Sequence, residues 1–263
     1  MEILNHVLID TSYYIFYRYY ALLSWWKLAK PDIKLDIPYE NKEFVEKFIK
    51  TFKEKLIEIP KKLKIKNYKI YAALDCPRDK IWRNSLYNKY KENRIYDDKF
   101  MGGPFFELGK EILKELNIPI LKHPLLEADD CNALFTKYLY EQNNNNKIYI
   151  IANDMDYLQL LSNNINIIKL KYNFLKDSKK WSGNAKQDLF CKIIIGDKSD
   201  DIPGIFKKCG IKTAIKYYED EELFNKQLKL ENAYNSYMIN KKLIDFNEIP
   251  EDIATEFLLN YSI

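Results

Sequence analysis

The sequence predicts an α/β fold in which a mostly parallel sheet is flanked by helices. Two observations predict it. Short apolar runs alternate with stretches of helical period along most of the 263 residues. Three of those runs, VLID, KIYAAL and IYIIA, end on or just before a carboxylate: Asp10, Asp75 and Asp154. In open α/β sheets the carboxyl edge of the strands is where ligands bind.

Taken in order, residues 7–10 read as a strand. A Thr-Ser pair able to cap a helix follows, then the aromatic helix YYIFYRYYALLSWWKL. Phe44, Phe48, Phe52 and Leu56 lie four apart, which predicts a helix over 43–59 with one buried face. Residues 69–74 read as the second strand, and 80–94 are polar, basic and aromatic together. A helix is expected over 105–116, a short strand over 118–121, and a helix from Glu127 to Leu139. After the Asn143–Asn146 loop come a strand at 148–152, a helical stretch at 156–162 and a strand at 165–170. An apolar helix over 188–196 ends at Gly196, and beyond about 220 the chain reads as helical packing.

Composition narrows the class. The chain is 47% hydrophobic and 30% charged, which fits a globular protein rather than a disordered one. No apolar run approaches the ~20 residues of a membrane-spanning helix. The opening MEILNHVLID lacks the marks of a secretory signal, so an intracellular, cytoplasmic and non-secreted protein is expected. Cys76, Cys131, Cys191 and Cys209 form no close pair and read as reduced thiols; Cys131 and Cys191 read as inert core. With only His6 and His123, both read as structural, histidine-based zinc or triad chemistry is a poor fit. Tyr13 to Tyr20 and Trp25-Trp26 read mainly as core, and the 61–69 lysines as a solvated face.

Four arginines stand against 38 lysines, and three of the four, Arg78, Arg83 and Arg94, fall within seventeen residues. Seven glycines are present, with Gly196, Gly204 and Gly210 within fifteen. Both clusters imply geometric requirements.

Nine carboxylates follow apolar runs: Asp10, Asp75, Glu127, Asp129, Asp130, Asp154, Asp156, Asp197 and Asp200. Singly, each reads as a helix cap or dipole partner. Together at one sheet edge they would repel, and cations would relieve that. An oxygen-only donor set suits Mg²⁺ or Mn²⁺. Two such ions ~3.5–4 Å apart are the usual device for in-line phosphodiester attack. Without those nine, 29 acidic residues face 42 basic ones, a body of +13 around an acidic pit. That balance fits a polyanionic substrate.

Five segments, in order, resemble the 5′→3′ exonuclease and flap endonuclease family. LIDTS is similar to its opening Asp segment. ALDCPRDKIWRNSLYNKYKENR is similar to its FD…FR…YK..R stretch, LEADD to EADD, ANDMDYLQLLS to its DxDxxQL segment, and IIIGDKSDDIPGI to GDxSDNxPGV. KTA at 212–214 looks like the end of its helix–hairpin–helix-like element. The chain departs from the pattern at Thr11, where Gly is usual, and at Asp201, where Asn is usual. The hairpin GIFKKCGIKTA is one residue longer than usual, and Arg18 is displaced by one from the arginine of bacterial relatives.

The resemblance implies a PIN-like sheet with a small helical arch and an H3TH-type hairpin element. Residues 1–187 would be the catalytic core with the arch near 80–116. Residues 188–263 would hold the duplex-binding element and C-terminal helices. It implies that the nine carboxylates bind two Mg²⁺, replaceable by Mn²⁺, with K⁺ a candidate at the hairpin. Lys91, Arg83, Arg94 and Tyr90 would stand at the arch base, with Lys91 and an arginine on the scissile phosphate. Gly204, Gly210, Lys212, Thr213 and Arg18 would contact DNA without reading its sequence. The implied activity is metal-dependent 5′→3′ exonuclease and 5′-flap endonuclease cleavage of duplex DNA by a monomer, in replication, repair or recombination. RNA–DNA primer junctions are a further candidate substrate. Two alternatives stay open: a catalytically inactive DNA-binding homologue, and a PIN-like ribonuclease.

Overall fold

The computed structural model describes residues 4–93 and 100–261. Five parallel strands form one sheet: β1 (Asn5–Asp10), β2 (Tyr68–Ala73), β3 (Ile120–Leu121), β4 (Lys147–Ile151) and β5 (Ile165–Ile168). Their order is β3-β2-β1-β4-β5, so the chain order reverses at β1. β1 and β4 are therefore neighbours at a topological switch point, and their carboxyl ends flank a crevice.

The buried stretches of the strands are largely apolar because both faces are covered. Val7 and Ile9 point into one core with Phe44, Phe48, Phe52 and Phe105. Leu8 points into the other with Tyr71, Phe135 and Phe257. The first core lies under α1 (Thr11–Ala29), α2 (Lys42–Lys62) and α3 (Gly103–Glu115). The second lies under α4 (Ala128–Gln142) and α9 (Glu251–Leu259). The four-residue spacing on α2 is realised: Phe44, Phe48, Phe52 and Leu56 are fully buried, and Asn41 caps the helix by accepting from Phe44 N–H. Tyr14, Tyr19 and Trp26 of α1 are core, as expected of most of its aromatics, while Phe16, Tyr20 and Trp25 remain exposed.

The arch expected near 80–116 needs correction over its second half. Phe105, Gly109, Ile112 and Leu113 form one buried stripe, so α3 is a core helix packed against α1 and α2. Its apolar face is drawn into the core by the area it removes from water. In the first half, Arg78–Lys80 and Trp82–Ser85 are short 3₁₀ turns that bury Ile81 and Trp82. Residues 94–99, with Arg94, lie outside the described residues. The helical stretch expected at 156–162 is a 3₁₀ segment, Met155–Leu160.

α5 (Ala185–Ile195), α6 (Ile211–Glu219), α7 (Glu221–Leu230) and α8 (Tyr234–Ile244) surround a smaller core of Ile194, Phe206, Ala214 and Phe224. The expected division at 187 falls inside α5, and α9 returns to pack on α4 with Phe257 fully buried. The two parts are thus joined by a continuous helix and a returning one. Gly196 ends α5 at φ +80°, where an added Cβ would meet the Ile202 carbonyl at 2.3 Å. Only glycine fits that turn.

His6 on β1 is buried, and neither ring nitrogen has a hydrogen-bond partner among the described residues. Burial, then the charge of Lys69, pushes its imidazole down from 6.5 to about 4. Protonation is penalised in the fold. The stability carried by the neutral ring is therefore complete above about 6.5 and is lost as pH falls through about 4. We expect His6→Phe to lose less stability between pH 7 and pH 4 than the parent, by on the order of 2 kcal/mol. Urea unfolding at both pH values checks this, and parallel pH dependence of the two proteins would refute it.

Candidate metal centre

Each functional carboxylate is placed by an element end. Asp10 closes β1 and caps α1; its Oδ1 accepts from Tyr13 N–H at 3.0 Å and its Oδ2 from the Tyr157 hydroxyl at 3.4 Å. Asp75 follows β2; its Oδ1 accepts from Ala128 N–H at 2.9 Å and its Oδ2 from the Ser12 hydroxyl at 2.5 Å. Glu127 is the N-cap of α4, and Asp129 and Asp130 sit in its first turn. Oxygens of these three lie within 4.8 Å of one another. Asp154 follows β4, and its Oδ1 accepts from Asp156 N–H at 3.0 Å. Asp197 caps the 3₁₀ turn Lys198–Asp200 after α5, and Asp200 is its last residue.

The electrostatics show that these groups feel one another. The Asp10 carboxyl is pushed up to about 7, first by burial, then by Asp75, with a smaller push from Asp154. Asp129 is pushed well above the carboxylate range by burial, then by Asp130 and Glu127. Asp156 is pushed up to about 6 by burial, which Lys192 opposes and Asp154 reinforces. Asp197 goes the other way. Burial works against it, but hydrogen bonds from Lys192 and Ser199 bring it down to about 2.

These are carboxylates held close at an energetic cost that cations would relieve. The donors are oxygen only. The neighbouring Cys76 thiol is pushed up to about 12, by burial and then by Glu127. Asp10, Asp75, Asp129 and Asp154 have no ion-pair partner among the described residues. That donor set fits hard divalent cations such as Mg²⁺.

Two expectations are corrected here. Arg83 does not face the open edge: its side chain is 2% exposed. Its Nη1 and Nη2 donate to the two oxygens of Asp130, each at 2.7 Å, and its Nε donates to the Leu243 carbonyl at 2.8 Å. Asp130 is likewise no open ligand. It is fully buried, with the Trp82 indole donating to it at 3.1 Å as well. The reason is mutual: a fully buried carboxylate needs a fully buried, bidentate counterion. Arg83 is a positioning residue that ties the 82–85 turn to α4.

Tyr90 and Lys91 do lie among the carboxylates. The Tyr90 hydroxyl donates to Glu127 at 2.9 Å, and the Lys91 ammonium pairs with Glu127 and, at 3.7 Å, with Asp200. Lys91 adopts φ +56°, and its N–H donates to the Asp200 carbonyl at 3.0 Å. Asp201, which stands where Asn is usual, accepts from Asn93 N–H at 2.7 Å and its side-chain amide at 2.8 Å. It thereby ties the 91–93 turn to the segment after α5.

Around the hairpin, Gly204 packs against α5: a Cβ there would meet the Ile195 carbonyl at 2.8 Å. Gly210 caps α6 with open space around it, Lys212 is exposed and Thr213 half-buried in the first turn. Arg18 is withdrawn. Its Nε is buried and its guanidinium lies over the rings of Tyr17 and Tyr14.

Lys192, Ser12, Trp82 and Tyr157 are contributors that sequence reasoning missed. The one available signal was Lys192 itself, a lysine inside the apolar run FCKIII five residues before Asp197.

A parallel sheet with a switch point beside its central strand, and an acidic edge able to hold divalent ions, defines a nuclease of the PIN-like, resolvase-like class. The chain belongs to the 5′-3′ exonuclease family, whose N-terminal resolvase-like domain matches residues 5–188. It is 32% identical to a 5′-3′ exonuclease of Buchnera aphidicola from Acyrthosiphon pisum over 238 residues, covering 88% of this chain and 73% of the relative. It is 29% identical to the ribonuclease H of phage T4 over 231 residues, covering 76% of this chain and 72% of the relative. The D15 protein of bacteriophage T5, crystallised with metal ions, matches its fold with a TM-score of 0.67 at 16% identity over 97% of each chain. No described helix is long and apolar enough to cross a membrane.

Proposed function

We propose that this protein is a metal-dependent, structure-specific 5′ nuclease that hydrolyses phosphodiester bonds of DNA, as a 5′→3′ exonuclease and 5′-flap endonuclease. One observation carries the reading. Carboxylates from five separate segments converge on one sheet edge, and burial and mutual repulsion hold Asp10 and Asp129 far above their ordinary range. A member of this family with that edge intact is better explained as an enzyme than as an inactive DNA-binding subunit.

Asp10, Asp75, Glu127 and Asp129 would hold one divalent ion, and Asp154, Asp156, Asp197 and Asp200 the second. Mg²⁺ is the ion proposed, with Mn²⁺ able to replace it and K⁺ a candidate at the hairpin. Bound there, the pair would supply an activated water and stabilise the leaving oxygen. The chain's own groups do the rest. Ser12 and the Ala128 N–H orient Asp75, while Tyr13 N–H and Tyr157 orient Asp10. Glu127 holds Lys91 and Tyr90 beside the position a scissile phosphate would take. Lys212 and the N–H groups that open α6 would grip duplex phosphate away from the chemistry, without reading bases. The proposed substrate is duplex DNA with a free 5′ end or a 5′ flap, bound by a monomer. RNA–DNA primer junctions join the assay because the T4 relative is named a ribonuclease H.

The test is cleavage of labelled flap, nicked, blunt and RNA-primed duplexes in Mg²⁺, with product lengths read on a gel. Asp75→Asn and Asp154→Asn are each expected to reduce cleavage by at least ~10²-fold while duplex binding persists. Excess chelator should stop the reaction, and Mg²⁺ or Mn²⁺ should restore it. Near-normal turnover in both variants, or activity in chelator, would overturn the assignment.

A further inference from the structure

α5 brings a lysine into the carboxylate edge. The Lys192 ammonium lies 2.5 Å from Asp156 Oδ1 and 2.7 Å from Asp197 Oδ2. All three side chains are largely buried, at 26%, 18% and 15% exposure. A divalent ion bound by the same two oxygens at ~2.0–2.1 Å, as Mg²⁺ requires, would overlap the ammonium. The two cations are therefore alternatives at one position. The stem of Lys192 also borders a cleft of about 350 Å³ that Asp156 and Asp197 themselves help to line, with Met155, Leu158, Leu189 and Ile195 on its apolar side. That cleft is large enough and apolar enough to take the four-carbon stem if the ammonium swings out to water. At the other end of the edge, Asp10, Asp75 and Asp129 have no such resident cation among the described residues.

We propose that Lys192 is a built-in cation that occupies the second metal position, between Asp156 and Asp197, until a second divalent ion displaces it into the neighbouring cleft. This rests on reading the edge as a two-ion centre. The consequence is ordered loading. The first ion binds the Asp10, Asp75 and Asp129 side, where the nearest ammonium, Lys91, pairs with Glu127 rather than with these three, and the second must compete with an ammonium already neutralising its ligands. Without that ion, Lys192 keeps Asp156 and Asp197 together, so the position is preformed before loading. Lys192 is in this sense a positioning residue whose removal changes metal affinity and not only turnover.

The experiment is calorimetric titration of Mn²⁺ into the metal-stripped full chain, with no nucleic acid present. Two ions are expected, the second weaker by at least ~10-fold. Lys192→Met should strengthen the second by at least ~10-fold and change the first by less than about threefold. Lys198→Met removes the same charge from an exposed neighbour on the 3₁₀ turn after α5, and should shift neither by more than about threefold. A second measurement uses the unsubstituted protein and so does not depend on a variant folding. Acetylation of Lys192, followed by mass spectrometry, should be slow in chelator and at least ~5-fold faster in saturating Mn²⁺, as the ammonium is released from its ion pairs.

Unchanged second-ion affinity in Lys192→Met, or unchanged labelling while two ions are bound, overturns this proposal and leaves the two-ion centre standing. If no Mn²⁺ binds the parent at all, the metal centre falls and the proposal with it.

Discussion

Lys91→Ala is expected to slow the chemical step of bound substrate by ~10²–10³-fold, the range for removing a preorganised donor to developing negative charge. Lys91 is held in place three ways. Its N–H donates to the Asp200 carbonyl, its ammonium pairs with Glu127 and Asp200, and its backbone takes the left-handed conformation at φ +56°. So constrained, and only 7% exposed, it can serve a phosphate arriving at the carboxylates without a large search. Duplex affinity should change little, because many other phosphate contacts remain. Lys212→Ala is the control with the opposite signature. It sits exposed at the start of α6, so its loss should weaken duplex binding modestly and reduce its salt dependence, with the chemical step intact. Single-turnover rates at saturating enzyme, with binding isotherms at two salt concentrations, separate the two. If Lys91→Ala chiefly raises Kd and Lys212→Ala chiefly slows the chemistry, the roles are exchanged.

Arg83→Ala is expected to cost ~3–5 kcal/mol of folding stability, the range for breaking a buried ion pair from one side. It leaves Asp130 fully buried and stripped of its bidentate partner, with the Trp82 indole and, at 3.3 Å, the Glu127 N–H as its remaining support. It also orphans the Leu243 carbonyl on α8, so the loss spans both parts of the chain. The double variant Arg83→Met with Asp130→Leu should recover most of that stability, since apolar groups of similar volume need no counterion. Urea unfolding midpoints of the parent, both single variants and the double variant complete the cycle. A cost under ~1 kcal/mol for Arg83→Ala would show that the pair is not the buried support described here.

Much of the site was legible along the chain. Asp10, Asp75 and Asp154 end apolar runs, and a strand that ends on a carboxylate delivers it to the sheet edge whatever the rest of the fold does. The period-four phenylalanines of α2 are similarly local: one face of a helix must be buried, and theirs is. The oxygen-only donor set followed from a chain with two histidines and no paired cysteines. In each case the deciding interaction is between neighbours in sequence, or between a residue and the end of its own element.

Tertiary structure alone decided where the long cationic side chains go. Arg83 and Asp130 are 47 positions apart, Lys91 and Glu127 36, and Lys192 and Asp156 36. An arginine in a basic, aromatic stretch reads as a phosphate ligand until a buried carboxylate across the fold claims both its terminal nitrogens. α3 shows the same limit for apolar residues. Its stripe specifies a helix with one face to bury, but burial against α1 and α2, rather than in an arch, depends on where β2 and β3 leave room. Local sequence sets the conformation and end-groups of each element. The partner of a buried charge is chosen by which elements the fold brings within a few ångströms, and no local pattern contains that distance.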